Sequence, residues 1–216
     1  MQCNEDGSTI ITIPSRQQSS RITLDALSSS TWTSLSITGD LAELEKLLEK
    51  TQAKNYHFHM SSIDSLTWLS GRDVDSVTFD KTHIRNHGDW TTFTIRSLRY
   101  LLNNKLDTID FLSNATSLET IELARMPKVL LLPNFSRLHS LRRVIIAKMK
   151  RLTDLSPIIH APSLLELFVV ESPHLEVHHF ECIRNHPTII RGNIFIGGQK
   201  KCQQAAEIVG MKRISR

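Results

Sequence analysis

Residues 118–177 state one phrase three times. LETIELARMPKVLLLPNFSRLHS, LRRVIIAKMKRLTDLSPIIHAPS and LLELFVVESPHLEV restart at Leu118, Leu141 and Leu164, 23 residues apart. In each phrase apolar residues stand at relative positions 0, 3 and 5: Leu118, Ile121 and Leu123, then Leu141, Val144 and Ile146, then Leu164, Leu167 and Val169. A fixed interval of this size means that one short unit is stacked repeatedly, each copy burying its apolar face on its neighbours. Weaker copies precede these three. Trp32, Leu35 and Ile37 fit the template, as do Ala53, Tyr56 and Phe58, and Val74, Val77 and Phe79; Leu98, Leu101 and Asn103 fit with a polar third place. The starts at 32, 53, 74, 98, 118, 141 and 164 give intervals of 21, 21, 24, 20, 23 and 23.

An L-x-x-L-x-L core at such intervals resembles the leucine-rich-repeat family, over roughly residues 32–196 and most clearly in the last three copies. The resemblance implies an α/β solenoid with a parallel sheet on the concave side and short helices or turns on the convex side. Residues 1–31 would then be an N-terminal β cap, 32–188 about seven repeats, and 189–216 a last strand with a C-terminal capping helix. The chain departs from the commonest family form in one respect. Where that form buries an Asn or Cys three places after the last strand leucine, this chain has Met126, Met149 and Ser172. Short returns with a Leu-Ser-Pro element look more like the bacterial and phosphatase-regulator variants than like the long-helix inhibitor variety.

The segments between the strands are also readable. STIITI and RITL, with Ile10, Ile13, Ile22 and Leu24 to face inward, suit a hairpin or a pair of strands closing the first repeat. Asp40 is placed to cap a helix whose stripe is Leu41, Leu44, Leu47 and Leu48. Ile63, Leu66 and Leu69, and then Leu106, Ile109 and Leu112, repeat that spacing on shorter returns, while Pro133 makes 132–138 irregular or 3₁₀. Leu175, Phe180 and Ile183 can pack inward; Ile194 and Ile196 make the last strand, and QKKCQQAAEIVGM a final helix offering Ala205, Ala206 and Val209 to the open end.

Composition narrows the class of partner. The net charge is +4, with a pI near 9.1, but the basic residues are scattered; the short clusters at Lys148–Arg151, Lys200–Lys201 and Lys212–Arg216 suit solvated turns and a tail. Nucleic acid is thus a second choice of partner. Cys3, Cys182 and Cys202 are odd in number and unevenly spaced, which argues for reduced cytoplasmic thiols rather than a disulfide framework or zinc knuckle. No apolar run reaches the ~18 residues of a membrane span, and no secretory signal is visible, so the expectation is a soluble cytoplasmic protein, monomeric when free.

Strand side chains alternate, so positions 2, 4 and 6 of each copy face the concave side. The expected middle column is Ser36, His57, Thr78, Leu102, Glu122, Ile145, Phe168 and Phe195; the column beside it is Thr38, His59, Asp80, Asn104, Ala124, Ala147, Val170 and Gly197. Ile145, Phe168, Val170 and Phe195, bordered by Arg143, Lys148, Glu166 and Glu171, form an apolar patch with a charged rim. Such a patch marks a contact surface unless the cap folds over it. Tyr100, Leu102, Glu122, Arg143, Ile145, Lys148, Glu166, Phe168, Val170 and Phe195 are the expected partner-binding residues. His57, His59 and Asp80 converge, but the pattern supplies no third histidine or cysteine, so no metal site is assigned. His174, His178, Cys182 and His186 recur every four residues; on a helix the first and third would be about 12 Å apart, too far for one ion. No G-x-S-x-G, P-loop or H-E-x-x-H is present. The expectation is a non-catalytic, cofactor-free protein that holds another protein as adaptor or inhibitor, one version being an immunity protein that neutralises an effector; the alternative is a nucleic-acid binder.

Overall fold

The computed structural model describes residues 2–3, 8–12, 31–39 and 44–211. The elements in chain order are β1 (Gln2–Cys3), β2 (Ser8–Thr12), β3 (Thr31–Thr38), α1 (Leu44–Lys50), β4 (Gln52–His59), β5 (Ser62–Ser65), β6 (Asp73–Asp80), β7 (His83–Asn86), β8 (Thr94–Leu101), β9 (Thr120–Ala124), β10 (Arg143–Ala147), β11 (Glu166–Val170), β12 (Arg191–Ile194) and α2 (Gln199–Val209). The fold is α/β with an open sheet in the order β1-β2-β3-β4-β6-β8-β9-β10-β11-β12. From β2 onwards neighbours run parallel, and β1 pairs antiparallel with β2. No helix among the described residues is long and apolar enough to cross a membrane.

Register follows from which residues must be buried. Ile121, Val144 and Leu167 sit side by side on adjoining strands, as the 23-residue restarts predict, and all three are fully buried. The fourth copy is corrected. Val74, Val77 and Phe79 pair with Ile95, Leu98 and Tyr100, so that copy begins at Ile95 and not at Leu98. The strand offsets become 21, 21, 21, 23, 23 and 23, with 25 at the last strand. Tyr100 fills the place held by Phe58 and Phe79. Its ring centroid lies 5.1 Å from that of Phe79, and its buried hydroxyl is 3.0 Å from His87 Nε2. With its polar end satisfied, tyrosine is as good a core residue as phenylalanine here.

The shorter copies close differently from the longer ones. Ile63, Leu66 and Leu69 are buried as expected, but not as a helical stripe: Ile63 lies in β5, paired in parallel with Ile84 of β7, and Leu69 ends a single 3₁₀ turn, Thr67–Leu69. A 21-residue copy has few residues for its return, and extended chain covers about 3.3 Å per residue against 1.5 Å for helix. The longer copies return through 3₁₀ helices at Asp110–Asn114, Ser156–His160 and Val177–Ile183, while 128–141, containing Pro133, holds no helix. α1 buries Leu44 and Leu48 and carries Glu45 in its first turn and Lys50 in its last, the signs its dipole favours. Ile13, Ile22, Leu24, Asp40 and Leu41, and the tail Lys212–Arg216, lie outside the described residues. In β2 it is Ile11, and not Ile10, that shares the register of the core residue Ile37.

A second ladder runs along the turns that leave the strands. Gly39, Met60, Lys81, Leu102, Arg125, Lys148 and Glu171 all have positive φ. The N–H groups of the first six donate to the carbonyl that ends the next strand, as from Met60 to Asp80 and from Arg125 to Ala147, and at the seventh turn it is the Ser172 N–H that donates, to the Phe195 carbonyl. Next to each of the last six lies a buried side chain: Ser61, Thr82, Asn103, Met126, Met149 and Ser172. Asn103 Nδ2 donates to the Thr82 carbonyl at 2.9 Å, its Oδ1 accepts from the N–H groups of Lys105 and Leu106, and Thr82 donates to the Phe58 carbonyl. The turns are thus polar in the first half and carry methionine at two places in the second.

The C-terminal end is finished by substitution within the pattern. Gly192 occupies the position that holds Leu167 in the preceding copy, and a Cβ there would stand 1.8 Å from the Leu167 carbonyl oxygen, with the Met211 methyl 3.0 Å away. α2 buries Ala205 and Val209, packed on the Val177–Ile183 turn and on β12. The strand expected through Ile194 and Ile196 ends at Ile194, though Ile196 is buried.

Candidate functional site

Alternation puts positions 2, 4 and 6 of each strand on the face away from the core, and the pairing fixes the columns. The middle column is Ser36, His57, Thr78, Arg99, Glu122, Ile145, Phe168 and Asn193. The next is Thr38, His59, Asp80, Leu101, Ala124, Ala147 and Val170. Phe195 extends it, its N–H donating to the Val169 carbonyl at 2.7 Å.

Three expected contact residues are therefore re-placed. Tyr100 is buried, on the opposite side of the sheet from the exposed face. Leu102 sits in the left-handed turn after β8, and its middle-column place belongs to Arg99. Phe195 moves one column across to stand beside Val170, and Asn193 takes its place next to Phe168. Glu122, Arg143, Ile145, Lys148, Glu166, Phe168 and Val170 belong to the columns or turns where the pattern put them. The shift also reveals what the sequence concealed: Leu101, and not Asn104, is the outer residue of β8. Leu101, Ala124, Ala147, Val170 and Phe195 make an unbroken apolar column across five adjoining rungs, with Ile145 and Phe168 beside it. Phe195 is 52% exposed, and α2 packs elsewhere.

Charge is organised along the borders of this column. Glu166 is buried and lies between two guanidinium groups: Arg143 Nε donates to it at 2.5 Å, and Arg191 donates through Nε and Nη2. The hydrogen bond from Arg143 is the largest influence holding its carboxyl below the usual range; desolvation opposes this and Arg191 adds to it. The Arg143 guanidinium also stands 6.0 Å from the Phe168 ring centroid, which fixes the edge of the apolar surface. Arg99 pairs with Glu122 at 2.6 Å, and Lys148 with Glu171 at 2.5 Å. Arg125 is exposed at its turn.

At the other end of the face His59 Nδ1 lies 2.8 Å from Asp80 Oδ2, while Asp80 Oδ1 is buried with no partner among the described residues. His57 is pushed below its ordinary pKa, chiefly by desolvation. No cluster of three metal-ligating side chains occurs among the described residues. His174, His178, Cys182 and His186 do not form a stripe, because their segment has the three-residue period of a 3₁₀ turn; His174 and His186 each donate from Nε2 to a carbonyl, of Leu152 and Ile158, at 3.0 Å. Cys182 and Cys202 are free thiols. Burial raises the Cys182 pKa, so it carries no activated thiolate.

Compared with models of known protein families and with curated proteins, the chain matches none.

Proposed function

We propose that the chain is a leucine-rich-repeat solenoid whose concave sheet face holds another protein, and that it works by occupying that partner, as an adaptor or inhibitor in the cytoplasm, without chemistry of its own. The observation that carries this reading is the apolar column from Leu101 to Phe195, with Ile145 and Phe168 beside it: Phe195 is exposed, Leu101, Ile145, Ala147, Phe168 and Val170 are half-buried, and Ala124 alone is buried. Apolar side chains on adjoining rungs cost free energy in water, about 25 cal/mol for each Å² left exposed, and a partner's apolar surface recovers it. Aromatic and arginine side chains together, as at Phe168 and Arg143, are common anchors of interfaces. An immunity protein that blocks an effector is one form this role would take.

The test is capture by immobilised chain from lysate of the source cells, with Phe168→Asp and Phe195→Asp compared with the unmodified protein. Both substitutions sit on half-open or open positions, so circular dichroism melts should hardly move, while capture of a specific protein should be lost. A partner retained at full strength by both variants would refute the concave face as the site.

A further inference from the structure

The border of the apolar column says what kind of surface it accepts. On its strand side Arg99 is matched by Glu122, whereas Arg143 and Arg191 share the single carboxylate of Glu166. On its turn side Lys148 is matched by Glu171, and exposed Arg125 has no ion-pair partner among the described residues. Both borders therefore keep one uncompensated cation, and they lie on opposite sides of the column. The floor between them is low in the middle, at Ala124 and Ala147, and rises to Leu101 at one end and to Val170 and Phe195 at the other.

We propose that this trough receives an acidic amphipathic α-helix of a partner protein, laid across the strands with its apolar stripe on the column and carboxylates on both flanks. This rests on the proposed function and names the partner's chemistry. Pitch decides between helix and strand. Successive rungs are about 4.8 Å apart, so the column is about 19 Å long. One helical turn advances 5.4 Å, so a stripe of one apolar residue per turn stays close to one residue per rung. Same-side residues of an extended peptide recur about every 6.7 Å and fall out of step within two rungs. An extended peptide also gains no ladder hydrogen bonds here, because the backbone groups beneath the face are already paired with neighbouring strands. Large side chains of the helix would seat over Ala124 and Ala147, and carboxylates would meet Arg125 on one side and Arg143 or Arg191 on the other.

The test uses three synthetic 16-residue helical peptides with the same leucine stripe, flanked by Glu, by Gln or by Lys, titrated against the full chain by fluorescence anisotropy. The Glu-flanked peptide should bind at least about tenfold more tightly than the Lys-flanked one, and the margin should shrink as salt is raised. Arg125→Glu should narrow that margin severalfold, and Val170→Asp should abolish binding of all three; if Val170→Asp unfolds, Phe195→Gln takes its place, since that ring is already 52% exposed. Equal affinities, a preference for Lys flanks, no binding by any peptide, or binding indifferent to the column variants would each overturn the inference. The two readings fail separately. A natural partner that is lost with Phe168→Asp but presents a basic or extended segment to this face sinks the acidic helix and leaves the proposed function standing. A partner indifferent to both Phe168→Asp and Phe195→Asp sinks the proposed function itself.

Discussion

The fourth copy contains a titratable group whose behaviour follows from its surroundings, and it makes the register testable in solution. His87 stacks on Phe111, ring centroids 4.0 Å apart, and its Nε2 is 3.0 Å from the buried Tyr100 hydroxyl. Desolvation, with a smaller contribution from His83, brings its pKa from 6.5 down to about 4. A histidine held neutral by the fold binds its proton in the unfolded chain first. Its contribution is therefore intact above about pH 6.5 and is lost progressively as the pH falls towards 4. At about pH 5 the full shift corresponds to roughly 2 kcal/mol, and allowing for the ring's partial contact with solvent it is about 1–2 kcal/mol. Urea unfolding at about pH 7.5, 6 and 5 should show the unmodified chain losing that much more stability than His87→Gln, which keeps a hydrogen-bonding group for Tyr100 but cannot titrate. Every other ionisable group is common to both proteins, so the difference reports His87 together with its smaller interaction with His83. Profiles that run parallel, or an unmodified chain that gains on the variant in acid, would refute a neutral His87 buried against Tyr100, and with it the copy beginning at Ile95.

Gly192→Ala puts a methyl group 1.8 Å from a backbone oxygen, so β12 must shift; a loss of about 2–3 kcal/mol or more, with weakened docking of α2, is expected in thermal melts and hydrogen exchange. Met60→Gly relieves a side chain from a left-handed backbone (φ 52°) while removing an exposed hydrophobe, and should be neutral to stabilising by about 0.5 kcal/mol despite the entropy of glycine. Arg143→Ala or Arg191→Ala alone leaves Glu166 one partner and should cost about 1 kcal/mol, but both together strand a buried carboxylate and should cost about 3 kcal/mol or more. A double-mutant cycle that closes additively would show that the two arginines do not share that carboxylate.

Much of the strand pattern was legible because leucine, isoleucine and valine at 0, 3 and 5 have one physical use, burial, and Ile121, Val144 and Leu167 line up as that use demands. The fourth copy misled for an equally physical reason. Leu98, Leu101 and Leu102 crowd one strand end, and leucine is as acceptable on a binding face as in a core, whereas Tyr100 advertises a polar hydroxyl whose partner, His87, is 13 residues away. Two signals could have resolved it: the constant interval of 21, and Asn103, which stands three places after Tyr100 in the position that Met126 and Met149 hold later. The returns were less legible still. Ile63, Leu66 and Leu69 are buried whether that stretch is a helix or β5 followed by a turn, so their spacing does not distinguish the two.

The change of interval from 21 to 23 coincides with a change in what packs beneath the sheet, and both bear on the exposed face. β4, β6 and β8 place Phe58, Phe79 and Tyr100 at one core position, with Thr82 and Asn103 bonded under the turns; at the same position β9, β10 and β11 carry Leu123, Ile146 and Val169, with Met126 and Met149 under the turns. On the opposite face the sequence changes character at the same place, from His57, His59 and Asp80 to the column that begins at Leu101. Polar groups gather beside the turns that bury Thr82 and Asn103, and apolar ones beside those that bury Met126 and Met149. A partner that reads only the apolar half leaves His57 and His59 in water, so substituting both with Gln should leave its affinity within about twofold, the usual result for residues outside a contact. A larger loss would extend the footprint across β4 and β6.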